Sequence, residues 1–117
     1  MTTMTETDVA ALAERVAGWL TPERWCQGRY AADAKGRTVG PKDKTAVRWC
    51  ASGAAYALDV PIQGGVVVAQ MMRAYHARYS VGLVEDNDTR KADLSRVRGR
   101  LRELAAHLRA SQQEARS

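Results

Sequence analysis

"GRYAADAKGRTVGPKDKTAVRWCASGAAYALDVP", residues 28–61, decides the fold, because its hydrophobic period changes partway along. The first half has no helical stripe, and "DAKG" between "RYAA" and "RTV" reads as a turn joining two short strands. A small β-hairpin is therefore expected near residues 29–39. From about Asp43 a helical pattern returns. Val47, Cys50, Ala54 and Ala57 or Leu58 fall on one face, with Trp49 and Tyr56 on its flank. "DVP" stops this helix before Pro61, since the residue preceding a proline is pushed out of the helical region.

Upstream, a helix is expected from a Thr7 or Asp8 cap, with Val9, Leu12, Ala13, Val16 and Leu20 at helical spacing. "LTPERW" offers Thr21 as a cap and Pro22 at the first helical position, where its missing N–H costs nothing, so a short helical turn brings Trp25 beside Trp19. Downstream, "QGG" introduces "VVVAQMMRAYHARY", whose stripe is Val68, Met71, Met72, Tyr75 and Tyr79. "SVGLVEDND" reads as a loop. From a Thr89 cap, Leu94, Val97, Leu101, Leu104 and Leu108 then alternate by three and four, the spacing of a coiled-coil seam. That helix packs on the core or on a copy of itself, which leaves a homodimer open. The resulting fold class is mainly α (α+β), about four helices packed around one core with a small hairpin.

A chain of 117 residues suits a single domain, with an ordered core at about residues 8–110 and flexible termini. Apolar residues at 45% and charged residues at 26% argue against wholesale disorder. No apolar run is long enough for a membrane span, and the N-terminus is acidic and polar where a signal peptide would be basic and then apolar. A cytoplasmic location without membrane contact is the expectation. All of the net charge of +5 belongs to residues 90–117, where eight basic residues stand against three acidic ones. Arg90, Lys91, Arg98, Arg102 and Arg109 are thus the candidate contacts to an acidic protein or to nucleic acid, against the plainer reading of a solvated helix face.

The only two cysteines, Cys26 and Cys50, each follow Arg-Trp. A structural zinc would have to use them with His76 and His107, and none of the four has a partner at the spacing that places two ligands on one turn. A Cys50 nucleophile with His76 as base would need an electropositive, helix-N-terminal setting, which a cysteine inside a helix lacks. Packing is the better reading, and the repeated Arg-Trp-Cys reflects chance and core chemistry more than duplication. Trp25, Cys26, Tyr30, Trp49, Cys50 and Gly53 are accordingly assigned to the structural core, each Trp-Cys pair plugging one end of the space between hairpin and helices. "EDND" at 85–88 could offer oxygen ligands to a divalent cation but lacks the glycine and distant glutamate of a calcium loop, and acids before a helix also complement its dipole. "QGG" is too short a signal for a phosphate loop. No catalytic, metal or cofactor site is expected.

The framework of Tyr30, Gly36, Trp49, Cys50, Gly53 and Ala54, followed after a spacer by "ND" and a last helix, resembles the domain of unknown function 6197 family of actinobacteria and their phages. The resemblance spans about residues 9–110 and departs from the family's pattern at Asp86, where an aromatic usually precedes the Asn-Asp pair. It implies a fold family and a phage-associated setting, and no catalytic residues. The functional expectation is a small non-enzymatic regulatory protein, encoded by a phage or mobile element, that binds and modulates a host protein such as a defence component. The alternative is a nucleic-acid-binding protein that uses the basic C-terminal helix.

Overall fold

The computed structural model describes residues 6–59, 65–89 and 93–116. Helix α1 (Glu6–Trp19) is followed by a single 3-10 turn (Pro22–Arg24) and three short strands, β1 (Ala31–Asp33), β2 (Thr38–Val39) and β3 (Ala46–Trp49). Helices α2 (Ala51–Leu58), α3 (Val66–Tyr79), α4 (Leu83–Asp88) and α5 (Leu94–Arg116) complete the chain. The protein is mainly helical with a small antiparallel sheet, as the periodicity indicates.

The expected stripe of α1 is buried in full, from Val9 through Val16 to Leu20. Along α5, Val97, Leu101 and Leu104 are buried, and Leu94 and Leu108 pack against the same cluster. The seam of α5 is therefore spent inside the chain, where α5 lies along α1. Val67, Val68, Met71 and Tyr75 of α3 close the core from a third side. The 3-10 turn begins after Thr21 with Pro22 at its start, as its sequence requires.

The hairpin forms where "DAKG" places it. Asp33 accepts from the backbone N–H groups of Lys35 and Arg37 through one carboxylate oxygen, and Gly36 takes a left-handed φ of 80° that a side chain would resist. Beyond the hairpin the structure corrects the sequence reading. Residues 46–49 form a strand rather than the first turn of a helix, and β3 pairs with β1 to give the sheet order β2-β1-β3. "TAVRW" is an alternating β-branched and aromatic run, and the partner edge of β1 is available to it. Val47 consequently points outward, 43% exposed, instead of lining a helix face. The segment read as a loop also contains α4, which Thr89 terminates. Asp93, not Thr89, caps α5, accepting from the N–H of Ser95 through its side chain and from that of Val97 through its carbonyl.

Candidate functional site: a tyrosine-lined groove above a polar hub

The two Arg-Trp-Cys segments meet. Trp25 and Trp49 form a parallel bridge, the Cys26 N–H donates to the Trp49 carbonyl at 3.0 Å, and the Cys50 N–H donates to the Tyr30 carbonyl at 3.2 Å. They do not plug opposite ends of the fold. The Asn87 side chain, fully buried on α4, ties them together. Its Oδ1 accepts from Trp25 Nε1 at 2.7 Å and from the Ala51 N–H at 2.9 Å, and its Nδ2 donates to the Cys26 carbonyl at 3.1 Å and to Asp88 Oδ1 at 2.7 Å. Asp88 also accepts from the Gly28 N–H, and Gln27 donates to the Asn87 and Thr89 carbonyls. Every hydrogen-bonding position of the Asn87 amide is thereby used by the fold. Gly53 is equally constrained: a Cβ there would stand 1.8 Å from the Tyr30 carbonyl oxygen, so only glycine lets α2 start this close to β1.

Cys50 is not inside a helix but caps the start of α2, its Sγ accepting from the Gly53 N–H at 3.2 Å. The helix-terminal setting thought absent is present, yet burial outweighs it and pushes the thiol up to about 11. Burial also raises the Cys26 thiol, against the opposing pull of the Arg29 charge. Both cysteines are free, and neither is set up as a thiolate nucleophile. Cys50 and Gly53 are buried as expected, while Trp25, Cys26 and Trp49 are half-buried. Trp49 stands edge-on to Trp19 at 5.5 Å and donates through Nε1 to the Pro41 carbonyl.

"EDND" lies within α4 instead of ahead of a helix. Asp86, 3% exposed, accepts from Arg96 at 3.0 Å, from Arg100 at 2.8 Å and from the Tyr75 hydroxyl. Burial alone would raise its pKa, but the Tyr75 and Arg100 hydrogen bonds and the two guanidinium charges overcome that and hold it below the usual carboxylate value. Among the described residues no group of three or more His, Cys, Asp or Glu side chains converges as a metal site would need.

The candidate basic contacts divide. Arg98 donates to the Ala17 carbonyl at 2.9 Å and Arg109 is paired with Glu14, both tying α5 to α1. Arg102 is exposed, and Arg90 and Lys91 lie outside the described residues.

Tyr30 corrects its core assignment. It is 46% exposed and stands edge-on to Tyr56, itself 36% exposed, at 5.9 Å and an interplanar angle of 87°. The two rings line an open cleft of about 620 Å³ with Gly40, Pro41, Lys42 and Asp43. A second depression of about 300 Å³, lined by Arg29, Thr38, Val84 and Asp88 among others, also borders Tyr30. Single-residue patterning misses this pair because Tyr30 precedes a strand and Tyr56 belongs to a helix, and nothing local shows that both face outward on the same side.

A family model described as "Family of unknown function (DUF6197)" matches residues 4–115. No curated protein and no solved structure matches the chain.

Proposed function

The chain belongs to the DUF6197 family of unknown function, and from that premise we propose that it is a small non-enzymatic binding protein that engages and modulates a protein partner. One observation carries the reading: the tyrosine-lined groove keeps aromatic surface in water, while the buried Asn87 side chain is taken up by internal hydrogen bonds. Asn87 and Asp86 are saturated by internal hydrogen bonds, and Cys50 is a buried, protonated thiol at neutral pH. Two half-exposed tyrosines at one cleft are the residue type that protein interfaces favour, because each offers a large rigid surface and a polar tip.

Nucleic-acid binding through the C-terminal helix is the weaker reading, since Arg98 and Arg109 are held by α1. The phage-associated setting that the family resemblance implies leads us to propose a host protein in the cytoplasm as the partner. The test is affinity capture from nuclease-treated lysate with the full chain, followed by reconstitution with the purified captured protein. A direct stoichiometric complex supports the reading. Oligonucleotide binding at physiological salt that Arg98→Glu with Arg102→Glu abolishes, with no direct protein complex, replaces it with the nucleic-acid reading.

A further inference from the structure

The groove at Tyr30 and Tyr56 is built partly from a basic segment of the chain. Residues 28–49 carry Arg29, Lys35, Arg37, Lys42, Lys44 and Arg48 against Asp33 and Asp43, a net +4. The two acids are engaged locally. Asp33 is buried and bonded to the turn amides and Arg37, and Asp43 accepts from both the N–H and the hydroxyl of Thr45. Those bonds hold both carboxyls below their usual range, so both stay ionised; Asp33 is buried in its turn, while Asp43 is exposed and lines the cleft beside Lys42. Lys35, Lys42 and Lys44 are exposed and form no ion pair among the described residues, and Lys42 lines the cleft itself. The aromatic recess is thus flanked by a segment, residues 42–48, in which Lys42, Lys44 and Arg48 outnumber Asp43.

The ring geometry selects between acidic partners. A single-stranded nucleic acid stacks successive bases on aromatic faces that lie roughly parallel along the strand. Here the rings meet at 87°, one standing edge-on to the other, so they form a corner. A corner of aromatic faces encloses one bulky apolar side chain, and a cleft of about 620 Å³ has room for it and its neighbours.

We propose that the Tyr30–Tyr56 groove docks an acidic protein segment bearing one bulky apolar side chain, which enters the corner between the rings while flanking carboxylates sit against Lys42 and Lys44. The proposal rests on the protein-binding reading above and adds the place and the partner's chemistry. Charge of this kind speeds encounter and selects the partner, and the buried apolar anchor supplies most of the affinity.

A random peptide library panned on the full-length protein, with oligo(dT) titrated in parallel, tests this. The expected outcome is enrichment of peptides with Asp and Glu around a single Leu, Phe or Trp. Their binding should weaken at least about tenfold in Tyr56→Ala and in Tyr30→Ala, as truncation of an interface anchor does. Lys42→Glu, an exposed substitution that leaves the core untouched, should weaken them further as acidic content rises and reduce their salt dependence. Circular dichroism identical to wild type establishes that the variants are folded. Enriched peptides without acidic bias, or binding indifferent to all three substitutions, overturn the groove proposal while leaving a protein partner elsewhere on the surface. Oligo(dT) binding lost in Tyr30→Ala, with no peptide enriched, overturns both, and absence of binding to either probe overturns the proposal.

Discussion

Asn87 joins α4 to the start of α2 and to both Arg-Trp-Cys segments. Its amide satisfies the buried first N–H of α2 and the part-buried Trp25 indole and Cys26 carbonyl. Asn87→Ala leaves those groups without partners and opens a cavity. Each orphaned buried group costs about 1–3 kcal/mol, so a loss of about 4 kcal/mol in urea unfolding is expected. Asn87→Asp keeps the acceptor but turns the Nδ2 donor into a second carboxylate oxygen against Asp88 and the Cys26 carbonyl, so it should be no milder at neutral pH. A stability unchanged by either substitution would mean that water replaces the amide and that the hub is not structural. Gly53→Ala meets the Tyr30 carbonyl at 1.8 Å, which backbone alone can relieve, and overpacking of this kind costs about 1–3 kcal/mol or more. Because Tyr30 lines the groove, that variant should also lose partner binding beyond its loss of stability, which binding measured on the folded fraction would reveal. The Cys50 thiol, 2% exposed and raised to about 11, should react with a thiol reagent far more slowly than Cys26. Equal rates, followed by mass spectrometry, would contradict that setting.

At the scale of elements, β3 and α2 decide how Trp49 behaves. The indole is anchored by its hydrogen bond to the Pro41 carbonyl and by its edge-on contact with Trp19. Trp49→Ala removes both, and a loss of about 3 kcal/mol is expected, slightly less than for a fully buried tryptophan. A folded, equally stable mutant defective only in binding would make Trp49 an interface residue instead. The helices were legible because their stripes are long and local: the buried residues of α1, α3 and α5 stand in the sequence at helical spacing. The hairpin was legible because its turn chemistry is local too. β3 was not, since four residues from Ala46 to Trp49 fit a strand or a helical turn equally, and pairing with β1 decides between them. α4 is only six residues long and is held by Asp86 and Asn87, polar residues whose partners lie on other elements. The groove was invisible for the same reason. Tyr30 and Tyr56 are 26 positions apart, and the contact between them exists only after β1 and α2 are brought together over Gly53.

For the whole molecule, the buried cluster around Asp86 links stability to pH at both ends of the scale. Asp86 joins α4 to α5 through Arg96 and Arg100 and to α3 through Tyr75. Its folded pKa lies below its unfolded value of about 3.9, so the folded state holds fewer protons than the unfolded one wherever the two differ. The stabilisation is complete above the unfolded value and disappears as pH falls through the folded one. Tyr75 and Tyr79 behave in the opposite sense. Burial raises both hydroxyls, helped by the carboxylates of Asp86 and Glu103, Tyr79 to about 12 and Tyr75 higher still. Their contribution is intact below an unfolded value of about 10 and is lost as pH rises through the folded ones. Urea midpoints should therefore form a plateau at neutral pH that falls on the acid side below about pH 4 and on the alkaline side above about pH 10. Asp86→Asn should lower the plateau by about 2 kcal/mol, a figure kept modest because Arg96 and Arg100 stay about one-third exposed and can turn to water. It should also flatten the acid limb, because the titrating group is gone, while the alkaline limb persists through Tyr79. An acid limb unchanged in Asp86→Asn would assign acid unfolding to other carboxylates and reduce the Asp86 cluster to a packing contact.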